Sequence, residues 1–230
     1  MNRGATKNIF FGLAVLLAAF VVAAFVGVAR QRAANEQAAH RFLDSAAAFQ
    51  QRQTAQDAAL QARFDQIDVD RYLAASSLVS PERVREGRDE LARYRALLVE
   101  RDRASTDGVA EAHALVLSLP EGSLRDQAMR GAESTAARNK ELRATLAQAQ
   151  AANADAVQAI FDWTDRNRRL LSQRDGKLLV ASKEALDELN ALEAQLHATG
   201  ESAQEVVERG KAVRARAIKT LNEARRDLDR

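Results

Sequence analysis

The chain is 230 residues long, with 47% hydrophobic and 29% charged residues, which is the balance of a folded protein rather than a disordered one. The net charge of +2 comes from Arg3 and Lys7, so the rest of the chain is neutral and lacks the net basic surface that a general nucleic-acid binder needs. Because the sequence has no cysteine, disulfides, thiolate metal sites and a lipid-modified cysteine are excluded.

Residue usage favours helices along most of the chain. Alanine makes up about a fifth of the residues, whereas proline occurs twice and aromatic residues amount to 5%. Sheets need more β-branched and aromatic side chains than this. We therefore predict an all-α protein, in which an N-terminal transmembrane helix precedes an elongated, alanine-rich, antiparallel helical bundle with coiled-coil-like packing.

The opening segment is long, apolar and uncharged. Residues 9–29 would form a helix about 31 Å long, which matches the hydrocarbon core of a bilayer. We predict a tail at residues 1–8, a transmembrane signal-anchor helix at residues 9–29 and an extramembrane helical-bundle domain at residues 30–230. A cleavable signal peptide is the alternative, since small residues precede Arg30, but the apolar run exceeds a usual signal core of roughly 7–15 residues.

Basic residues flank this segment on both sides and bear on its orientation. Arg3 and Lys7 precede it, whereas Arg30, Arg32 and Arg41 follow it. Keeping a short cationic tail inside is easier than exporting it. We predict a single-pass protein of the inner, cytoplasmic membrane whose bulk is periplasmic, and the sequence leaves cleavage of residues 1–29 open.

The first helix of the body is predicted from about Arg30 to about Gln66. Its buried stripe has helical spacing and includes one polar residue. The stripe consists of Phe42, Ala46, Phe49, Gln53, Leu60, Phe64 and Ile67. Asp68 then serves as the N-cap of a short helix through Tyr72 and Leu78.

Ser80 and Pro81 start the next long helix, because serine is a good N-cap and proline suits the first helical position. Steps of three and four residues give this helix a coiled-coil-like seam of Val84, Gly87, Leu91, Tyr94 and Leu98. Asp107-Gly108 could interrupt or merely kink the helix. Pro120-Glu121-Gly122 is predicted to end it.

A further helix is predicted from Ser123, supported by Asp126, to about Asn167. After it, Asp175-Gly176 has the chemistry of a tight hairpin turn, because glycine adopts positive φ readily. A small β-hairpin near residues 170–181 and a helix–turn–helix link fit this pattern equally well.

Two more helices complete the predicted chain. Ser182 caps the first, and Gly200 ends it. Its apolar stripe consists of Leu186, Leu189, Leu192 and Leu196. Ser202 with Glu205 forms a capping-box pair that opens the last helix. The last stripe consists of Val206, Val213, Ala217, Leu221, Ala224 and Leu228.

No pattern in the sequence indicates a metal, a cofactor or a catalytic centre. His40, His113 and His197 lie far apart, and none has the spacing of a metal-binding motif. His113 is expected to be satisfied or exposed, and His197 is expected near a helix C-terminus, where a cation is favourable. The glycines form no phosphate-binding loop. We therefore predict no catalytic, cofactor-binding or metal-binding residues, and a protein that is not an enzyme.

Charged and aromatic residues have structural explanations. The segment PERVREGRDELARYR at residues 81–95 predicts a solvated helix face with i,i+4 ion pairs. Basic clusters at residues 166–177 and 209–219 could contact phosphates, but helix-end placement and intrahelical pairing explain them more simply, so we expect no nucleic-acid partner. Trp163 is expected in the core of the bundle.

These features favour a membrane-anchored, non-enzymatic helical protein that acts through protein–protein interaction or as an envelope scaffold. Its partners would be the bilayer, through residues 9–29, and a protein or a second copy, through helical faces whose narrow apolar stripes bury little surface. The alternative is an extracytoplasmic, sensor-like bundle that binds a small ligand and signals through a separate protein.

Overall fold

The computed structural model describes residues 34–228, with most side chains described between residues 41 and 213. Its helices are α1 (Ala34–Asp65), α2 (Ala75–Leu78), α3 (Pro81–Leu117), α4 (Ser123–Asn167) and α5 (Lys183–Leu228). Strands β1 (Leu171–Arg174) and β2 (Lys177–Val180) lie between α4 and α5. Short 3-10 turns occur at Asp70–Tyr72 and Arg168–Leu170. The predicted predominance of helix is therefore confirmed, and one small antiparallel sheet lies within the region where a hairpin was one of the predicted alternatives.

The predicted transmembrane segment lies outside the described residues. None of the helices within residues 34–228 combines the length and the apolar character that a membrane crossing needs. The predicted anchor at residues 9–29 stays a prediction.

The described residues form two compact units. One unit, here called the hairpin unit, contains residues 61–99 and 146–206. The second unit contains residues 34–60, 100–145 and 207–228.

The hairpin unit is built around large side chains from all of its elements. Its buried core consists of Phe64, Val69, Tyr72, Leu73, Leu78, Val84, Leu91, Tyr94, Leu97, Ala154, Val157, Ile160, Phe161, Trp163, Ala185 and Leu189. Phe64 and Tyr94 meet edge to face, with ring centroids 6.0 Å apart. Trp163 and Phe161 are fully buried, so the prediction that Trp163 packs in the core is confirmed.

Gly87 allows α3 to approach the rest of this core closely. A Cβ atom at Gly87 would lie 2.7 Å from Cζ of Phe161 and 2.8 Å from Cβ of Tyr72. At both distances the atoms would clash, so Phe161 or Tyr72 would have to move. The seam predicted for α3 is largely confirmed, since Val84, Gly87, Leu91 and Tyr94 are buried. At its end Leu97, rather than the predicted Leu98, is the buried residue.

Alanine is more frequent in the core of the second unit than in the core of the hairpin unit. Its core consists of Phe42, Ala46, Phe49, Ala112, Val116, Leu119, Ala128 and Ala132. Four of these eight residues are alanine, which lets helix backbones approach closely but removes little apolar area from water. Gln53 is buried on the same face of α1, as its place in the predicted stripe requires.

The serine caps predicted at Ser80 and Ser182 are present, whereas the N-cap predicted at Asp68 is wrong, because Val69 precedes the 3-10 turn and no side chain caps it. The Arg83 N–H donates to Oγ of Ser80 at 3.2 Å, and the Ala185 N–H donates to Oγ of Ser182 at 3.2 Å. A hydrogen bond from its own backbone N–H, followed by one from the Ser80 hydroxyl, lowers the pKa of Glu82. These caps place the starts of α3 and α5 where the sequence predicted them.

The interruption considered at Asp107-Gly108 and the helix end predicted at Gly200 are wrong. Residues Asp107-Gly108 neither end nor interrupt α3, which continues to Leu117. Gly200 does not end a helix either, because α5 is continuous from Lys183 to Leu228, and the capping box at Ser202 is therefore not formed. Gly200 is buried, and a Cβ atom there would lie 3.7 Å from Nδ2 of Asn153. At Gly200, α5 packs closely against Asn153 of α4.

The apolar stripe predicted for the start of α5 is displaced by one residue at its first position. Ala185 and Leu189 are buried, whereas Leu186 is 41% exposed. The predicted members Leu192 and Leu196 are partly buried against the core. Ala185 therefore fills the core position that the sequence assigned to Leu186, and an apolar side chain is left at the surface.

Candidate functional site

The sheet of the hairpin unit is a two-residue hairpin. Leu171 pairs with Val180, and Arg174 pairs with Lys177 beside the turn. Asp175 and Gly176 have φ values of 51° and 75°, as a type I′ turn requires. Of the two alternatives left open by the sequence, the hairpin is confirmed and the helix–turn–helix link is wrong.

The hairpin has one face toward the core and one toward solvent. Leu171, Leu178 and Val180 are partly buried and pack against the core cluster of the unit. Side chains on the opposite face alternate with these along each strand. We call this opposite surface the outer hairpin face, and it consists of Ser172, Arg174, Lys177 and Leu179. All four residues are exposed, and Leu179 retains 45% of its accessible area.

An ion-pair network fixes the end of α4 that leads into the hairpin. Nη2 of Arg88 donates to Oδ1 of Asp162 at 2.8 Å, and Nη1 donates to Oδ2 of Asp165 at 2.5 Å. Arg168, in the 3-10 turn that precedes β1, also pairs with Asp165. The network therefore joins α3, the last turns of α4 and the root of the hairpin.

This network lowers the pKa of the Asp165 carboxyl. Partial burial acts to raise its pKa, but hydrogen bonds from Arg88 and Arg168 together outweigh burial and lower the pKa below the usual value of 3.8. The carboxylate is therefore ionised throughout the neutral range. Its charge keeps both guanidinium groups in position.

Positive charge is concentrated around the hairpin. Residues 166–177 include five basic side chains, at Arg166, Arg168, Arg169, Arg174 and Lys177, and one acidic side chain, at Asp175. Apart from Arg168, these charged residues are exposed. Arg174 and Asp175 are 3.8 Å apart with side chains 81% and 89% exposed, so their interaction contributes little. The simpler explanation of this cluster, pairing at a helix end, applies to Arg168 and does not extend to the hairpin.

The ion pairs of α3 differ from those that the sequence predicted. Arg83–Glu86 and Arg93–Glu90 are i,i+3 pairs, and the other pairs in this segment reach across to α4. Nη2 of Arg95 lies 2.7 Å from Oδ1 of Asp155. The expected solvated face is confirmed, since most charged side chains of residues 81–95 are exposed. The expected i,i+4 spacing is wrong for these pairs, and Arg88 and Arg95 pair with α4 instead.

A buried carboxylate in this segment was not predicted. The Glu90 side chain is 8% exposed. Its Oε1 accepts the Asp68 N–H at 3.3 Å, and its Oε2 accepts from Arg93 at 3.2 Å. In the sequence, Glu90 stands next to the seam residue Leu91, which hinted at burial. Many exposed residues also stand next to a seam residue, so this hint alone does not identify a buried one.

The histidines do not converge among the described residues. His113 is exposed, and Nδ1 of His197 lies 3.5 Å from Oε2 of Glu201 on the same helix. The expectation that His197 lies near a helix C-terminus is wrong, because α5 continues beyond it. The His40 side chain lies outside the described side chains. No group of three or more His, Asp or Glu residues in the described part is placed to hold a metal ion.

The second basic cluster, at residues 209–219, is described only in part. Nζ of Lys211 lies 2.7 Å from Oε1 of Glu208, one turn before it in α5. This contact is the intrahelical pairing that the sequence predicted.

Searches of protein-family models, of curated proteins and of solved structures find no match to this chain.

Proposed function

We propose that this chain is a membrane-tethered, non-enzymatic helical protein that acts by binding another protein, as an adaptor or a scaffold of the cell envelope. Residues 9–29 would be the tether, and the bulk of residues 30–230 would lie on the periplasmic side of the cytoplasmic membrane. The length and apolarity of the opening segment support this location.

The outer hairpin face is the observation that supports the interaction function best. The core of the hairpin unit encloses most of its large apolar residues, whereas Leu179 projects into solvent between the cationic residues of the hairpin. Protein-binding surfaces combine an apolar centre with a polar rim, and Leu179 with its cationic neighbours has this arrangement on a small scale. The ion-pair network at Arg88 gives this surface a rigid base.

Photocrosslinking in living cells tests the proposal. A photoreactive amino acid in place of Leu179 is expected to give a discrete crosslinked product with another protein. Leu186 provides a matched control, since it is also an exposed leucine of the hairpin unit, at 41% exposure, but lies on α5. The proposal predicts products from position 179 and not from position 186. Only uncrosslinked monomer from position 179 would contradict it.

A further inference from the structure

We propose that β1 accepts an extended, acidic segment of the partner protein as a third strand of the sheet. This inference rests on the proposed function and adds the chemistry and the geometry of the partner. It is carried by the register of the hairpin, by its open edge and by the distribution of charge around it.

The register determines which backbone groups are available for pairing. The Ala181 N–H donates to the Leu170 carbonyl oxygen at 2.9 Å, so these two residues form a hydrogen-bonded pair. Hydrogen-bonded and non-hydrogen-bonded pairs alternate along an antiparallel ladder. Ser172–Leu179 and Arg174–Lys177 are then the next hydrogen-bonded pairs. The N–H and C=O groups of Gln173 and the C=O group of Leu171 consequently point away from β2, whereas the Leu171 N–H donates to the Arg168 carbonyl oxygen.

The outward edge of β1 is open in the described part of the chain. The sheet has two strands, so neither outer edge pairs with a further strand among the described residues. β2 also contacts α2, whereas Ser172, Gln173 and Arg174 of β1 are exposed. A row of backbone donors and acceptors on such an edge can pair with an extended segment of another protein. The outward N–H and C=O of Gln173 and the outward C=O of Leu171 together set the register of an added strand.

The basic residues around β1 favour an acidic partner segment. Arg169 and Arg174 lie at the two ends of β1, and Lys177 is paired with Arg174 across the hairpin. A second copy of this chain would bring the same cations to the same edge, and like charges oppose such pairing. An acidic strand would place its carboxylates beside Arg169 and Arg174, and it would lie two strand spacings from Leu179, with Ser172 between them.

A lipid surface would match the positive charge of the hairpin but not its strand edge. Anionic headgroups could neutralise the cations, but they offer no regular row of backbone donors and acceptors for Leu171 and Gln173. Leu179 is the one strongly exposed large apolar residue of the hairpin, which is little apolar surface for insertion into a bilayer. The open edge therefore favours a peptide strand.

Hydrogen exchange on the full chain in detergent micelles tests the pairing directly. The probe is a short peptide that alternates glutamate and valine, and the control peptide alternates lysine and valine. The acidic peptide is expected to slow exchange at the Gln173 amide. It should leave the Leu171 and Ser172 amides unchanged, because the first already donates to the Arg168 carbonyl oxygen and the second faces β2. The lysine peptide is expected to have no effect.

Two variants separate strand addition from simple charge attraction. Gln173→Pro removes an outward N–H without removing a bond to β2, and is expected to weaken binding of the acidic peptide about tenfold or more. Arg174→Glu combined with Lys177→Glu is expected to reverse the preference, so that the lysine peptide binds instead. Near-ultraviolet circular dichroism of Trp163, which lies in the core, verifies that each variant is folded.

Three results would overturn the inference. The first is equal binding of the acidic peptide to Gln173→Pro and to the unsubstituted chain. The second is protection of the hairpin amides by phosphatidylglycerol vesicles but not by the peptide, which would identify a lipid-binding surface. The third is a crosslink from position 179 in cells that Gln173→Pro leaves unchanged, since protein binding would then stand without strand addition. Absence of any crosslink would instead contradict the proposed function itself.

Discussion

The core of the hairpin unit has no room for a side chain at Gly87. Replacement by alanine improves helix propensity by about 1 kcal/mol. It also places a Cβ atom within 2.8 Å of both Phe161 and Tyr72, which are 0% and 4% exposed. Overpacking of this kind costs about 1–3 kcal/mol. We expect Gly87→Ala to lower the free energy of unfolding by about 1 kcal/mol, the difference between an overpacking cost of about 2 kcal/mol and a helix-propensity gain of about 1 kcal/mol.

Urea unfolding followed by tryptophan fluorescence measures this effect, since Trp163 is the single tryptophan of the chain and lies in the same core. An unchanged or raised unfolding free energy for Gly87→Ala would show that α3 does not approach Phe161 as described.

Asp165 makes the hairpin unit sensitive to acid. Its pKa is lowered in the folded state, so the carboxylate contributes stability above its unfolded pKa of about 4 and loses that contribution as the pH falls through the folded value. Its side chain is 40% exposed, so solvent screening limits the contribution to about 0.5–1 kcal/mol. We expect Asp165→Asn to lower stability by that amount at pH 7 and to have little effect near pH 2.

Unfolding curves collected across this pH range test the expectation, with Asp187→Asn on an exposed part of α5 as the control. An equal loss from Asp165→Asn at both pH values would mean that the charge of the carboxylate does not account for its effect.

At the scale of the element, the continuity of α5 is the feature that the sequence predicted least well. Gly200 resembled a helix terminator, and Ser202 with Glu205 resembled a start, because both signals are local. The helix continues because tertiary packing outweighs them, and the space beside Gly200 is occupied by Asn153 of another helix. Such a contact joins residues 47 positions apart, which no local pattern reveals.

Gly200→Ala tests this continuity. A helical glycine with room for a Cβ atom gains up to about 1 kcal/mol on replacement by alanine. The nearest atom would lie at an ordinary contact distance of 3.7 Å. We therefore expect an increase in the midpoint of urea unfolding, opposite in sign to the effect of Gly87→Ala. A decrease would indicate that the backbone at Gly200 has the positive φ of a helix end.

The starts of α3 and α5 and the hairpin turn were predicted from the sequence, whereas the contacts between different elements were not. Ser80, Ser182 and Asp175-Gly176 act through hydrogen bonds or φ angles within a few residues, so the sequence contains the whole signal. Arg88 instead pairs with Asp162 and Asp165 on another helix. The i,i+3 spacing of the two aspartates shows that they share a face, but not which arginine they meet. The outer hairpin face became definable only once the register was known.

At the scale of the whole molecule, the two units differ in how much apolar area they bury. Aromatic and leucine side chains dominate the core of the hairpin unit, whereas alanine supplies half of the core of the second unit. Burial of alanine stabilises less than burial of leucine or phenylalanine, because stability follows apolar area. The sequence indicated this scarcity of large residues through its alanine content. It did not indicate that the large residues are gathered in one unit.

The tether is the claim on which the location, the orientation and the proposed partner all depend. Alkaline carbonate extraction of membranes from cells that express the intact chain, with mass measurement of the extracted protein, tests it most directly. A helix of 21 uncharged residues should hold the chain in the lipid fraction, with residues 1–29 retained in its mass. Release of the whole protein into the aqueous fraction, or a mature N-terminus near Arg30, would contradict the account.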